Sequence, residues 1–443
     1  MQIQIPEKAR RIIAALSDAG YEAYIVGGCV RDAILGREPS DWDITTNAKP
    51  EEVKALFQRT VDTGIRHGTV TVLLGGEGFE VTTYRIDGEY QDGRHPKQVT
   101  FTPSLLEDLK RRDFTVNAMA YNESLGLIDA FGGLRDLEDR RIRCVGDPGE
   151  RFSEDALRIL RAVRFAAQLD FSIEAKTLEA VGRFAPRLSR ISAERIQAEV
   201  VKLLTSDHPE AWRILYETGI TAVILPEFDV CMETPQENAH HCFSVGEHIL
   251  RTLPEVEPDK VLRLTMLFHD MGKPRVRVRD GEGTDHFIRH GEVSEEIAGT
   301  VLRRLKFDND TVRRVRHLVR VHDYLQIAHT PRGVRRAVFR IGEDYFPDYL
   351  KVRRADILAQ NPQGAREKLK SLAEVERLYR QELEEQNCLS LKDLAVTGRD
   401  LIEAGMPAGP GLGSTLAGLL ELVIENPECN TKEYLLKAAF KQA

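Results

Sequence analysis

Apolar residues recur at helical spacing over residues 7–19 and predict an amphipathic helix. Residues 22–26 (EAYIV) read as a short strand ending at Gly27-Gly28, residues 30–35 as a short helix, and residues 41–45 (DWDIT) as strand-like. Residues 69–74 (TVTVLL) and 78–84 (GFEVTTY) flank a glycine turn and predict a hairpin. Residues 1–145 therefore predict a small mixed sheet with helices. From Ser153 the pattern becomes almost purely helical, and Asp147-Pro148-Gly149 marks the seam. Helices fill residues 153–225, and a histidine-rich helical stretch runs from Pro235 to about residue 360. After a break at Asn361-Pro362-Gln363-Gly364 come a charged helix over 365–387 and a small helical tail over 389–443, with a turn at 405–413. The predicted fold class is multi-domain α+β: a small mixed-sheet head over 1–146, an all-α neck over 147–225, a helical body over 226–360 and a helical tail over 361–443.

Composition narrows the class. A chain of 443 residues has room for roughly three domains. With 42% hydrophobic and 30% charged residues it is a soluble globular type, which excludes collagen, mucin-like stalks and bulk disorder. No apolar run approaches the ~18 residues of a membrane span. The opening MQIQIPEKARRIIAALSDAG has no charged segment followed by an apolar one, so no signal peptide is expected. Cys29, Cys144, Cys231, Cys242, Cys388 and Cys429 form no C-x-x-C pair, as expected of buried free thiols in a reducing cytoplasm.

The net charge of −8 taken alone argues against a nucleic-acid partner. The average hides a local surplus. Residues 301–354 hold 14 Lys/Arg against six Asp/Glu, including RRVRHLVR and RGVRRAVFR, and residues 273–279 (KPRVRVR) add more. This concentration predicts a phosphate-tracking surface. No aromatic platform interleaves with it, so recognition of a folded or duplex RNA by shape is expected rather than single-strand stacking.

Gly27-Gly28 follows a strand and precedes a helix, an arrangement whose bare N–H groups can cradle phosphate. Asp41 and Asp43 lie two apart on a predicted strand and so share a face. Two carboxylates beside a phosphate turn can hold a pair of Mg²⁺ ions for an in-line displacement. Glu80, between Phe79 and Val81, is the candidate third carboxylate.

The run GGCVRDAILGREPSDWDITTNA resembles the head motif of tRNA nucleotidyltransferases and bacterial poly(A) polymerases, the class II branch of the DNA-polymerase-β-like nucleotidyltransferases. RRDFTVNAMAY at 111–121 resembles the block that contacts the nucleotide sugar and triphosphate, and EDALRILRAVRFAAQL at 154–169 the helix that reads the base. The resemblance covers nearly the whole chain. It implies that Asp41 and Asp43 ligate metal, and that Gly27, Gly28, Arg31 and Asp32 shape the phosphate site. Arg111, Arg112, Asp113 and Asn117 would hold triphosphate and ribose, and Asp155 and Arg158 would select the base, with Arg161 and Arg164 on the same helix. On a helix Asp155 and Arg158 share a face. A carboxylate accepting from an amino group, beside a guanidinium donating to a ring nitrogen, suits cytosine and adenine but opposes uracil and guanine.

Residues 84–101 (YRIDGEYQDGRHPKQVTF) read as a mobile polar loop. In this family such a loop resembles the element used to switch from C to A, which favours a CCA- or A-adding enzyme. The tail resembles the C-terminal domain of bacterial tRNA nucleotidyltransferases and implies a tRNA-binding role for 361–443. The resemblance thus implies addition of C, C and A to the tRNA 3′ end from CTP and ATP without a template, releasing pyrophosphate. The rivals are an A-adding enzyme or poly(A) polymerase and, from another class, a phosphohydrolase whose head only binds RNA.

Nine of the 12 histidines lie between His240 and His329. His269-Asp270 stands at a predicted helix end, with Gly272 as its expected stop. With His241 upstream and His290, His322 and Asp356 downstream, this mix suits Mn, Fe, Co, Ni or Mg, and an Asp can bridge two metals. The pattern resembles the HD superfamily of metal-dependent phosphohydrolases, with His241, His269, Asp270 and Asp356 as its core set and His290 and His322 at second-metal positions. His240, His248, His286, His317 and His329 are expected to be non-ligands. Terminal or 2′,3′-cyclic phosphates on RNA ends are the implied substrates.

Overall fold

The computed structural model describes residues 2–88, 99–237, 243–324 and 327–441. It forms two compact units, Met1–Pro226 and Glu227–Ala443.

In the first unit, helix α1 (Glu7–Asp18) buries Ala9, Ile12, Ile13 and Leu16, the one-sided stripe its sequence period demands. Strand β1 (Ala23–Val26) is buried along its whole length. It is followed by α2 (Gly28–Ile34), β2 (Ile44–Thr46), α3 (Pro50–Leu56), β3 (Thr60–Gly64), β4 (Thr69–Leu74) and β5 (Glu77–Thr83). Then come β6 (Arg85–Asp87), β7 (Val99–Phe101), α4 (Leu105–Lys110), β8 (Ala120–Asn122), β9 (Gly126–Ile128) and α5 (Gly133–Glu138). The main sheet has the order β3-β4-β5-β2-β1-β8-β9. Only β2 and β5 run parallel within it; the predicted β4–β5 hairpin forms, with register partners Val70↔Val81 and Val72↔Phe79. The expected strand over 41–45 begins only at Ile44, although Val26 N–H still donates to Asp43 O at 3.0 Å. The ends of the expected loop are strands β6 and β7, paired antiparallel, and residues 89–98 lie outside the described residues.

Asp147 caps α6 (Pro148–Glu154) by accepting from Glu150 N–H. α7 (Leu157–Leu169), α8 (Ala175–Phe184) and α9 (Ala193–Leu204) follow. Buried Ile159, Leu160, Ala162, Val163 and Ala166 anchor α7.

In the second unit the helix Lys260–Phe268 is buried at every position from Val261 to Phe268. A helix that is buried all round is a core element. Helices Val245–Thr252, His290–Arg304, Asn309–Val321 and Phe346–Leu358 surround it. Its C-terminal end therefore delivers His269 and Asp270 to the centre of the unit. Toward the chain end, Leu394, Val396, Leu401, Leu419, Leu420, Val423, Ile424 and Leu435 form a separate apolar cluster. Among the described residues no helix is long and apolar enough to cross a membrane. Cys29, Cys144, Cys231, Cys388 and Cys429 are free thiols, the first four buried.

Candidate functional site

The turn between β1 and α2 starts the first site. Gly27 has φ of 83°, and an added Cβ would stand 2.9 Å from Arg112 Nη1. The positive φ favours glycine there, and a side chain would displace the close guanidinium. Arg31 donates to Asn117 Oδ1 at 2.6 Å and through a fork to both oxygens of Asp32 at 2.8 and 2.9 Å. Asp113 Oδ1 accepts from Phe114 N–H and from the Asn117 amide, and its Oδ2 meets Arg161 at 2.6 Å. Asp32, Arg31, Asn117, Asp113 and Arg161 are thus one hydrogen-bonded network, and Arg112 lies against Gly27 beside it. Phe165 lies beneath three guanidiniums, those of Arg31, Arg161 and Arg164, at 5.1, 5.2 and 3.8 Å from its ring centre.

Asp41, Asp43 and Glu80 share an electrostatic neighbourhood. Burial pushes the Asp43 carboxyl up; the Arg112 guanidinium opposes this, and the charges of Glu80 and Asp41 add to it. Crowded carboxylates of this kind are relieved by a cation. They are not drawn together as a finished cage. Among the described residues, the trios whose ligand atoms converge within 4.8 Å both lie in the second unit.

The expected base-reading pair is arranged differently. Asp155 caps the end of α6, in extended backbone, and α7 starts only at Leu157. Asp155 and Arg158 therefore do not share a helical face. The Asp155 carboxylate meets Arg195 of α9 at 2.6 Å, while Arg158 meets Glu154 at 2.6 Å and donates to Arg111 O at 2.8 Å. Arg164 forms an ion pair with Glu199 at 2.6 Å, and Arg161 lies 4.0 Å from the same carboxylate. Glu199, 6% exposed, and Arg195 were not foreseen. The helical period places Glu199 on the buried face of α9 with Ile196, Val200 and Leu203, and a charge on an apolar face is the signal that a partner faces it.

The basic stretch of 301–354 is not a bare cationic face. Arg304 pairs with Glu227, Arg316 and Arg320 with Glu295, Arg332 and Arg336 with Glu425, and Lys351 with Glu257. These four acids lie outside the stretch and offset four of its eight surplus positive charges.

The second site is the histidine cluster. His248 Nε2 lies 3.1 Å from Asp356 Oδ1 and 3.3 Å from His269 Nε2. On the other side of Asp270, His290 Nε2 is 3.3 Å and His322 Nε2 3.5 Å from Oδ1, and the two imidazoles are 3.1 Å apart. Oδ2 of Asp270 faces His248 at 3.5 Å, His269 at 3.4 Å and Lys273 at 2.6 Å. Two trios, His248/His269/Asp356 and Asp270/His290/His322, thus meet at one carboxylate.

The other ring nitrogen of each imidazole sets its tautomer. Nδ1 of His269, His290 and His322 lies 2.7, 2.8 and 2.7 Å from the carbonyls of Met266, Phe287 and Val319, and Nδ1 of His248 lies 3.4 Å from Ala359 O. A carbonyl only accepts, so each Nδ1 carries a proton, and in its neutral form each imidazole turns the Nε2 lone pair inward. Imidazoles and carboxylates converging in this way fit a cation, and a carbonyl behind each ring holds it in the orientation a metal ligand needs. Burial pushes His269 down to about 3, so it is neutral and ready to ligate at ordinary pH. Burial works against ionisation of Asp270, but the Lys273 ammonium 2.6 Å away holds its carboxyl well below the usual range.

Two expectations change here, those for His248 and Gly272. His248, set aside as a non-ligand, belongs to the cluster; its helix opens with a Ser244 cap on Glu247 N–H, and His248 shares the buried face with Val245, Ile249 and Thr252. His241 lies outside the described residues. Gly272 is not a left-handed stop but has φ of −79°. Its missing Cβ permits a close approach, since one would stand 2.5 Å from His290 O and Ser294 N. His286 and His329 bond Asp280 and Ser371 at 2.7 Å, away from the cluster, and His317 contacts Ile341 O.

Comparison with known proteins identifies the lineage. The poly A polymerase head domain matches residues 23–143, a probable RNA and SrmB-binding site of polymerase A matches 170–232, and a putative tRNA nucleotidyltransferase domain 2 matches 286–439. The CCA-adding enzyme of Levilactobacillus brevis is 39% identical over 98% of this chain and 97% of its own. The crystal structure of the Bacillus stearothermophilus CCA-adding enzyme in complex with CTP superposes with a TM-score of 0.75 at 32% identity, covering 99% of this chain and 98% of that one. The Thermotoga maritima CCA-adding enzyme complexed with tRNA_CCA shares the fold, with a TM-score of 0.61 at 22% identity over the full length of both. With its glycine turn, arginine network and carboxylates in one unit, and full-length kinship on that scale, the chain belongs to the family of CCA-adding enzymes, which are nucleotidyltransferases.

Proposed function

We infer that this protein adds C, C and A to the 3′ end of tRNA, using CTP and ATP and no nucleic-acid template. The observation that carries the reading is the junction of the Gly27 turn with Arg112, beside Asp41, Asp43 and Glu80, in a chain akin over its full length to CCA-adding enzymes. Asp41 and Asp43, with Glu80 beside them, would hold Mg²⁺; bound there, it lowers the pKa of the attacking 3′-hydroxyl and offsets charge on the leaving pyrophosphate. The chain's own groups do the rest. Arg112 meets phosphate at the Gly27–Gly28 turn, and its Nε is buried with no hydrogen-bond partner among the described residues, a donor that a phosphate oxygen would satisfy. Arg31 and Asn117, bonded to each other, adjoin the turn. Asp155 and Arg158 would select the base, each with an ion-pair partner, Arg195 and Glu154, beside it. Asp43→Ala should abolish nucleotide incorporation while the protein remains folded; retained incorporation would sink the reading.

A second activity is favoured by the four inward Nε2 lone pairs. We propose that the His248/His269/Asp270/His290/His322/Asp356 cluster holds two divalent transition-metal ions and hydrolyses phosphoesters, such as terminal or 2′,3′-cyclic phosphates. Metal analysis of the purified protein, with assays on those esters, tests it. Asp41→Ala should spare this hydrolysis, whereas Asp270→Ala should abolish it and leave nucleotide incorporation intact.

A further inference from the structure

Asp108 has a role that the motif reading does not assign. It sits in the last turn of α4 and is 0% exposed. Its Oδ1 accepts from Arg111 Nε at 3.0 Å and Nη2 at 2.7 Å, and from Arg85 N–H at 3.3 Å. Its Oδ2 meets Arg112 Nη2 at 3.5 Å and Thr45 Oγ1 at 3.3 Å. One buried carboxylate thus holds one end of two neighbouring guanidiniums. Burial opposes its charge, but Arg111 and Arg112 hold the carboxyl below its ordinary value. The other end of Arg112, Nη1, lies against Gly27. Asp43, also close to Arg112, and Asp87, 3.8 Å from Arg111 Nη1, are competing anions.

We propose that Asp108 is a positioning residue for nucleotide binding: it anchors Arg111 and Arg112 from behind, so that their donors face the triphosphate instead of collapsing onto Asp87 and Asp43. This rests on the reading of Arg111 and Arg112 as triphosphate holders. A planar guanidinium fixed at one edge presents its remaining donors in a set direction, and less freedom is lost when an anion binds. The triphosphate is common to CTP and ATP, so the effect is the same for both nucleotides and leaves the choice between C and A untouched.

The test is steady-state kinetics of incorporation by the full-length protein. Asp108→Asn keeps the shape but removes the charge, and turns an amide toward donors. It should raise KM for CTP and for ATP by the same factor, about tenfold, with kcat within about threefold and KM for tRNA unchanged. Thr45→Val removes only the hydroxyl contact and should leave both nucleotide KM values unchanged. A fall in kcat with unchanged KM, unequal factors for the two nucleotides, or equal effects in T45V and D108N would overturn the proposal. Should D108N fail to fold, judged by circular dichroism, Asp108→Glu is read instead. That variant keeps the charge but displaces the carboxylate by one methylene, and should raise both KM values about threefold; unchanged values overturn the proposal. Arg112→Ala separates the two layers. A raised KM in R112A with none in D108N refutes the positioning role alone, whereas an unchanged KM in R112A refutes the triphosphate reading beneath it.

Discussion

Asp113 is the joint on which the arginine network turns, and Asp113→Asn is the perturbation that measures it. The carboxylate is 7% exposed. Its Oδ2 receives Arg161 through Nε at 2.7 Å and Nη2 at 2.6 Å, and its Oδ1 receives Phe114 N–H at 2.8 Å and Asn117 at 3.2 Å. Four donors on one carboxylate leave no room for an amide, because the Asn nitrogen would face guanidinium N–H groups. A charge pair at 4 Å and an effective dielectric of ~20 is worth about 4 kcal/mol before desolvation. Breaking one partner of a buried pair costs about 3–5 kcal/mol. For a unit of about 150–250 residues, 1 kcal/mol moves Tm by roughly 2–4 °C. The transition of the first unit should therefore fall by roughly 6–20 °C in differential scanning calorimetry at neutral pH. The pH dependence gives a second check. Burial opposes ionisation of Asp113, but Arg161 and Arg158 hold its carboxyl well below the usual range. A depressed folded pKa stabilises above the unfolded value of about 3.9 and is lost as pH falls through the folded one. The gap between wild type and D113N should thus be full at neutral pH and shrink below about pH 3.9. A variant within 2 °C of wild type at pH 7, or a gap that widens on acidification, refutes this account of the network.

Other outcomes follow from the same geometry. Arg335 and Glu382, 6% and 0% exposed, pair at 3.0 Å; Glu382→Gln should cost about 3–5 kcal/mol by chemical denaturation, while replacing both by apolar residues of similar volume should cost far less. Gly27→Ala meets Arg112 Nη1 and a φ of 83°. It should raise KM for both nucleotides, at a stability cost of about 1–2 kcal/mol in a denaturant melt. His248→Ala should lower the content of tightly bound transition metal measured by plasma mass spectrometry, whereas His286→Ala should not.

Much of the fold is written in short-range pattern. The stripe of Ala9, Ile12, Ile13 and Leu16, the alternation of Val70 and Val72 against Phe79 and Val81, and the glycine turn before α2 each follow from local periodicity. The turn, Arg112 and Asn117 were legible because their motifs are contiguous. The partners of these residues were not. Asp155 finds Arg195 forty positions away, and His248 finds Asp356 across 108. Charge counted along a window missed partners for the same reason: Arg316 and Arg336 pair with Glu295 and Glu425, which no window over 301–354 contains. Long-range pairing is set by how helices pack, and no local period encodes it.

The central claim is template-free completion of a tRNA 3′ end. The direct measurement is incorporation into a tRNA transcript ending in no C, one C or two C, with CTP alone, ATP alone or both, resolved by gel and by sequencing of the termini. The account predicts C addition from CTP to the first two ends, a single A from ATP on the third, and a complete CCA from the first when both are present. Addition of A alone to the two-C end with no C added to the others, or long A tracts on any end, would contradict it.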